Sequence, residues 1–470
     1  MFRPVIGLEI HIQLLTKSKM FCSCPTNYGA SPNSNICEVC LGYPGTLPTI
    51  NKEAVKMGIM LALSLNCKIN NVSSFYRKNY FYPDLPKGYQ ITQFDLPLSE
   101  NGLLSIEGKD IRIRRIHLEE DSAKLIHGED EILVDFNRCG IPLIELVTEP
   151  DITSPEEAGE FLEKLKEIVD FLGISSGKME EGALRCDVNV SLKDVEGNFG
   201  TKVEIKNLNS FKAVVKAIKF EIDRQNNLLD KGESVLSETR AFNEKNETTI
   251  LMRSKETLND YRYFPEPDLL LLSVKNDEIE KIRTTLPELP HNAYMRLIEN
   301  FSLSNEEAKL LTSSKDILSF FDGCTKLYKD YKTIVNWISS EILKNLNKMN
   351  KSLKDVPLNP ENFTKMLTLI NEGKISGKIG KTILEEMMLT GKETDDIIKE
   401  KGLFQLSDSD ALESIIEEII ANNPKEVSIY RSGKKNLFGF FMGEAMKKTN
   451  GKANPQLLKE IMLEKLEKNG

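Results

Sequence analysis

Val188-Asn189-Val190-Ser191-Leu192 and Lys202-Val203-Glu204-Ile205-Lys206, joined across Glu196-Gly197-Asn198, decide the fold class. Apolar and polar residues alternate in both arms, the period-two pattern of strands with one buried face. The turn residues between them predict a hairpin. Upstream, Ser154-Pro155-Glu156-Glu157 opens a helix: Ser caps it, Pro fits the first turn, and the two Glu favour its positive end. Its apolar stripe includes Phe161, Leu162, Leu165, Ile168 and Val169, and Gly173 ends it. Further upstream, Ile111-Arg112-Ile113-Arg114 and Glu131-Ile132-Leu133-Val134-Asp135-Phe136 alternate like strands.

The texture changes after Leu286-Pro287-Glu288-Leu289-Pro290, where helical patterns take over. Ser304-Asn305-Glu306-Glu307 reads as a capping box, and Asn359-Pro360-Glu361 opens another helix. A third break lies near Leu406-Ser407-Asp408, followed by Ile415, Ile416, Ile419 and Ile420 at helical spacing. The reading is an α+β body with a mixed or antiparallel sheet over 1–290, an all-α helical domain over 291–404, and a small all-α tail domain over 405–470.

Composition agrees: 470 residues with 40% hydrophobic and 28% charged side chains suffice for a large core. The start, Met1 to Glu9, has no long apolar segment, and no apolar run is long enough to span a bilayer, so a cytoplasmic protein is expected. The net charge of −9 argues weakly against a polyanionic partner, but its distribution is uneven. Lys425 to Gly470 carries ten Lys or Arg against five Glu, a net of +5, leaving −14 for the remainder.

Eight cysteines in so long a chain do not make a disulfide scaffold. Four cluster as Cys22-Ser23-Cys24 and Cys37-Glu38-Val39-Cys40. Each close pair can bite from one turn, and a loop containing Pro25, Gly29 and Pro32 can bring the pairs together. Four thiolates suit tetrahedral Zn²⁺ and leave no open position, so a structural zinc knuckle over 22–40 is expected. Cys67, Cys139, Cys186 and Cys324 read as small buried hydrophobes.

Glu9 and His11 lie two apart in Gly7-Leu8-Glu9-Ile10-His11-Ile12 and share a face if this is a strand, which a surface edge strand would also give. Ile116-His117-Leu118-Glu119-Glu120-Asp121 puts three acids beside an imidazole. Glu145 lies within the apolar run Pro142 to Val147, where a carboxylate is costly unless paired or metal-bound. Asp187 and Glu204 sit in similar apolar settings. Hard oxygen donors with few nitrogens favour Mg²⁺ together with substrate phosphates, and Lys202 and Lys206 can meet phosphate oxygens. Gly377-Lys378-Ile379-Gly380-Lys381-Thr382 ends like a phosphate-binding loop, but Ile375 stands where its first glycine should be and no strand precedes it. No amidase-type Ser motif occurs, so the chain is not expected to hydrolyse glutamine itself.

Several segments resemble the B subunits of tRNA-dependent amidotransferases. They include Val5-Ile6-Gly7-Leu8-Glu9-Ile10-His11, Arg77-Lys78-Asn79-Tyr80-Phe81-Tyr82-Pro83-Asp84, His117-Leu118-Glu119-Glu120-Asp121 and Pro142-Leu143-Ile144-Glu145. Met179 to Gly182, Leu184 to Asp187, Glu204 to Ser210, Asp260 to Asp268 and Asn450 to Pro455 match as well, so the likeness spans nearly the whole chain. It implies a cradle-shaped α+β domain that binds the acceptor end of misacylated tRNA, then a helical domain and a tail that contacts the tRNA body. It implies that ATP phosphorylates the side-chain carboxylate of Glu-tRNA(Gln) or Asp-tRNA(Asn) and that ammonia displaces the phosphate. A glutaminase A subunit of the amidase type makes the ammonia, and a small C subunit completes a heterotrimer. In this family His11, Glu120 and Glu145 resemble the Mg²⁺ set with Glu9 beside them, and Glu119, Asp187, Glu204 and Lys206 resemble other pocket residues. The tail basic residues Arg431, Lys434, Lys435, Lys447, Lys448 and Lys452 fit phosphate contacts, although basic helix ends give the same pattern. Phe438, Phe440 and Phe441 fit core packing better than base stacking.

The activity expected is that of a carbon–nitrogen ligase using glutamine as amide donor. Two other classes stay open: a non-catalytic tRNA-binding scaffold, and a structural zinc module that binds nucleic acid generally. The buried-looking Glu145 and Asp187 favour catalysis.

Overall fold

A computed structural model describes residues 2–128, 130–254, 261–403, 409–449, 453 and 455–467. The chain divides into two compact units, Met1–Pro290 and His291–Gly470.

The first unit is built on a large twisted sheet. In chain order its main strands are β1 (Arg3–Gln13), β2 (Phe75–Asn79), β3 (Tyr89–Gln93), β4 (Ser99–Ile106), β5 (Lys109–Glu120), β6 (Pro142–Thr148), β7 (Leu184–Lys193), β8 (Val203–Lys206), β9 (Glu238–Asn243) and β10 (Thr248–Ser254). They lie side by side in the order β10-β9-β8-β7-β1-β6-β5-β3-β2, with β4 also paired to β5. The quoted arms form the expected antiparallel pair, with Val188 opposite Ile205 and Asn189 opposite Glu204. The parallel pairing of β8 with β9 makes the sheet mixed.

Alternation decides what each face does. Ile6, Leu8, Ile10 and Ile12 of β1 are at most 1% exposed and join one hydrophobic core with helices α1 (Lys52–Ser64), α2 (Pro155–Leu172) and α3 (Phe211–Asp230). Each such side chain contributes about 1.5–3 kcal/mol by leaving water. Glu9, His11 and Gln13 therefore point to the opposite face. The capping of α2 is as read: Ser154 Oγ accepts from Glu157 N at 3.1 Å, and Gly173 closes the helix with φ 68°. Ile132–Asp135 is a strand, but it pairs with Lys124–His127 in a separate ribbon. That ribbon braces the cysteine loop, because Asn33 N donates to Asp135 Oδ1 at 3.0 Å.

The regular elements of the second unit's described residues are all helices. Ser304 and Glu307 form the capping box, and Asn359 caps Pro360–Asn371. Gly377–Thr390 is one helix capped by Ser376, so the glycines and lysines there form no phosphate loop. The break at Leu406-Ser407-Asp408 lies outside the described residues, as do Asp260, Lys452 and most of the Asn450 to Pro455 segment. Beyond it, Leu412, Ile416, Ile419, Tyr430, Phe441, Leu458 and Met462 form a core. Phe441 is fully buried, Phe438 packs against that core, and Phe440 stays 39% exposed. Among the described residues no helix is long and apolar enough to cross a membrane.

Candidate functional site

The face of the sheet away from the helices carries a row of side chains at one level. Arg185 on β7 is opposite His11 on β1, His11 is opposite Glu145 on β6, and Glu145 is opposite His117 on β5. Adjacent strands lie about 4.8 Å apart, so a row like this brings its side-chain ends together. His11 Nε2 is 3.3 Å from Glu145 Oε2 and 3.5 Å from Glu119 Oε1. His117 Nε2 is 3.4 Å from Glu145 Oε2 and 3.8 Å from Glu119 Oε2. Thr92 Oγ1 on β3 donates to Glu119 Oε2 at 3.1 Å. Two sets of possible ligand atoms converge here, Glu9 with His11 and Glu145, and His117 with Glu119 and Glu145.

Glu120, expected with His11 and Glu145, is not among them. Leu118 turns to the core, so His117 and Glu119 face the site and Glu120 faces away. On the reverse side Glu120 pairs with buried Lys87 and accepts from Ile91 N at 2.9 Å. The place that the sequence reading gave to Glu120 is held by Glu119, and His117, which that reading left unassigned, stands beside it.

Charge in the row is mutual. Burial opposes a charged His117, but Glu145 and Glu119 outweigh it and raise its pKa to about 9. His11 is raised in the same way, against its burial, mainly by Glu145. Burial pushes Glu145 up, yet His117 and His11 hold it well below the usual carboxylate range. Glu119 is likewise lowered by His117 against its burial. Glu9 moves the other way, raised by burial and by Glu145. The cluster therefore draws positive charge towards its two buried carboxylates.

A second group adjoins it. Asp187 on β7 is opposite Glu9, and Lys206 on β8 pairs with Asp187 and with Glu204 Oε1 at 3.1 Å. Thr239 Oγ1 donates to Glu204 Oε2 at 3.0 Å. Burial disfavours the Lys206 charge, but Asp187 and Glu204 raise its pKa. Lys202 lies exposed just outside β8.

Further residues were not singled out from sequence. Lys78 on β2 is kept charged against its burial, chiefly by Glu119. Asp121 accepts from Arg185 Nη2 at 2.9 Å and Gln13 Nε2 at 3.0 Å, which fixes the end of β5. Lys78 sits in a matched segment, but only the pairing of β2 with β3 and of β3 with β5 brings it here.

The cysteine cluster forms as expected in one respect: ligand atoms of Cys22, Cys24, Cys37 and Cys40 lie within 4.8 Å of one another. Cys37 N donates to Cys40 Sγ at 3.2 Å, and fully buried Lys19 places Nζ 3.7 Å from the same sulfur. The Cys40 thiol is lowered, first by its hydrogen bond with Cys22, while burial raises Cys24 to about 11. Cys67, Cys139, Cys186 and Cys324 are buried free thiols.

In the tail, Lys434 and Lys447 are exposed, whereas Arg431 Nε donates to Leu466 O at 3.1 Å, Lys435 pairs with Glu467 at 3.3 Å and Lys448 pairs with Glu418.

Residues 4–280 match the family model described as the GatB/GatE catalytic domain, and residues 319–466 match a GatB domain model. The chain is 50% identical over 473 residues to the B subunit of the aspartyl/glutamyl-tRNA(Asn/Gln) amidotransferase of Thermoanaerobacter pseudethanolicus, covering 99% of this chain and 100% of that one. It is 48% identical over 477 residues to the same-named protein of Carboxydothermus hydrogenoformans, covering 99% of each. With the Thermotoga petrophila protein of that name it shares 48% over 478 residues, again covering 99% of each.

Proposed function

The chain belongs to the GatB/GatE family of amidotransferase B subunits, and from that premise we propose that it activates the side-chain carboxylate of a misacylated tRNA with ATP. The substrates are Glu-tRNA(Gln), Asp-tRNA(Asn) or both, and the partners are a glutaminase A subunit and a small C subunit in a cytoplasmic heterotrimer. The observation that carries this reading is the row of Glu145, His11 and His117 with Glu119, two buried carboxylates whose charge calls for a cation.

That donor set fits Mg²⁺: Glu119, Glu145 and His11 would hold it, with Glu9 at their side. When bound, the ion screens the repulsion between the substrate carboxylate and the triphosphate. A carboxylate oxygen is a poor leaving group. Its attack on the γ-phosphorus of ATP releases ADP and turns that oxygen into part of a phosphate. Ammonia then adds to the acyl carbon, loses a proton, and inorganic phosphate departs. Lys206 and Lys78 supply fixed positive charge for the phosphoryl oxygens, and Asp187 with Glu204 holds the Lys206 ammonium in place. Cys22, Cys24, Cys37 and Cys40 fit a structural Zn²⁺, because four thiolates converge and the Lys19 ammonium offsets part of their charge. Residues 291–404 and 405–470 serve as a helical domain and a tRNA-binding tail.

Single-turnover ATP cleavage by the reconstituted complex with misacylated tRNA tests this. Glu119→Gln should lose cleavage while still binding tRNA. Normal cleavage by that variant removes the catalytic reading and leaves a tRNA-binding scaffold.

A further inference from the structure

Beside the row, the alternation of β5 breaks. Ile111 and Ile113 turn inward, and so do Ile116 and Leu118, all at most 1% exposed. Strict alternation forbids two inward residues three apart, so both intervening residues face the other way. The pairing with β6 records the cause: Val147 is opposite Arg115, but the next residue, Thr148, is opposite Ile113. Arg114 is the extra residue of a bulge, a device that re-aims side chains. The bulge thus puts two guanidinium groups on the face that bears His117 and Glu119.

Both arginines line a hollow of about 290 Å³ with Phe94, Asp95, Pro97 and Glu100. Arg115 Nη2 reaches to 3.9 Å from Glu145 Oε1, so the hollow adjoins the metal row. The Arg115 Nε is buried without a hydrogen-bond partner. The Arg114 side chain has no hydrogen bond or ion pair among the described residues. The unpartnered Arg114 guanidinium lining this hollow is poised for phosphate oxygens, and Arg115 adds positive charge beside it. Phe94 is 43% exposed although it stacks on Tyr263, with centroids 4.1 Å apart and planes 8° from parallel. That supported ring is a platform for a flat heterocycle. The carboxylates of Asp95 and Glu100 can accept from an exocyclic amine.

We propose that the Arg114–Arg115 bulge and Phe94 form a subsite for a nucleoside phosphate, its phosphate on the arginines and its base on the ring. This rests on the phosphoryl-transfer reading above. Two sources share this chemistry: ATP itself, and the terminal nucleotide of the acceptor tRNA.

The test uses the assembled complex with Arg114→Ala, Arg115→Lys and Phe94→Leu. KM for ATP and KM for misacylated tRNA are measured separately, together with Mn²⁺ binding by electron paramagnetic resonance. Loss of one charge-assisted contact should raise one KM by about tenfold to a hundredfold, with Mn²⁺ affinity unchanged for Arg114→Ala and Phe94→Leu. A rise for ATP assigns the subsite to the cosubstrate, and a rise for tRNA assigns it to the acceptor end. Both KM values within about twofold of wild type in Arg114→Ala and Phe94→Leu overturn the proposal, as does an effect that merely follows lost Mn²⁺. Failure of the underlying reading is separate: it appears as undiminished ATP cleavage by Glu119→Gln, whatever the arginine variants do.

Discussion

Glu119 and Glu120 are neighbours in the chain, and their carboxylates sit on opposite faces of one sheet. Glu119 accepts from Thr92 Oγ1 beside two imidazoles, while Glu120 accepts from Ile91 N and pairs with Lys87. Glu119→Gln should therefore reduce single-turnover ATP cleavage about a hundredfold or more in protein that still folds. Glu120→Gln should instead act on stability and leave cleavage by the folded protein near wild type, because it leaves the buried Lys87 ammonium without its counter-charge, at a cost of about 3–5 kcal/mol. Calorimetry and rapid-quench kinetics on the two variants decide it; an inactive but fully stable Glu120→Gln would count against this division of labour.

Lys206 bridges Asp187 and Glu204 beside Glu9. Lys206→Met should lower kcat/KM for ATP cleavage by roughly tenfold to a hundredfold, the scale of one charge-assisted contact. Lys206→Arg should recover only part of it, since a guanidinium does not occupy the place of a compact ammonium. Wild-type kinetics in Lys206→Met would make the pair of acids, not the lysine, the functional group.

The thiol cluster should hold one zinc per chain by elemental analysis. Stripping it, or Cys37→Ser, should lower the melting temperature by roughly 10 °C or more, as expected when a structural ion worth several kcal/mol is lost. Lys19→Met should speed transfer of zinc to a chromogenic chelator, because the ammonium 3.7 Å from Cys40 Sγ no longer offsets thiolate charge. Equal release rates would remove Lys19 from the account.

The exposed tail lysines Lys434 and Lys447 should act through charge alone. Changing each to Glu should weaken tRNA binding uniformly and reduce the slope of log affinity against log salt by about 1 per lost contact. A salt dependence identical to wild type, from filter binding across a salt series, would place the tRNA body elsewhere.

Ser154→Ala serves as a contrast. It removes the cap of α2 far from the row, at a cost of about 1 kcal/mol, and should leave ATP cleavage at permissive temperature intact.

Much of this architecture is written locally in the chain. The alternation of Val188 to Leu192, the cap at Ser154 and the closing Gly173 each carry their own physical signal, and the structure follows them. The cysteine spacing likewise carries its own geometry. The site is harder to read because it depends on parity and register. Counting from Ile116 and Leu118 as inward residues would have joined His117 to Glu119 and excluded Glu120. The inward pair Ile113 and Ile116 also marks the bulge that aims Arg114. No local pattern, however, says that Arg185 lies opposite His11, or that Lys78 comes near Glu119, since those neighbours are set by pairing between strands remote in sequence.

The row from Arg185 to His117 also makes the sheet its own proofreader. Four strands each lend one residue at the same height, and a slip of any one strand by a single position would send its contribution into the core side and replace it with a buried apolar residue. Since β1 and β7 are far apart in the chain, this assembly can finish only after long-range pairing is complete. A half-folded first unit thus has no place to gather these charges, and the site comes into being only with the last correct alignment.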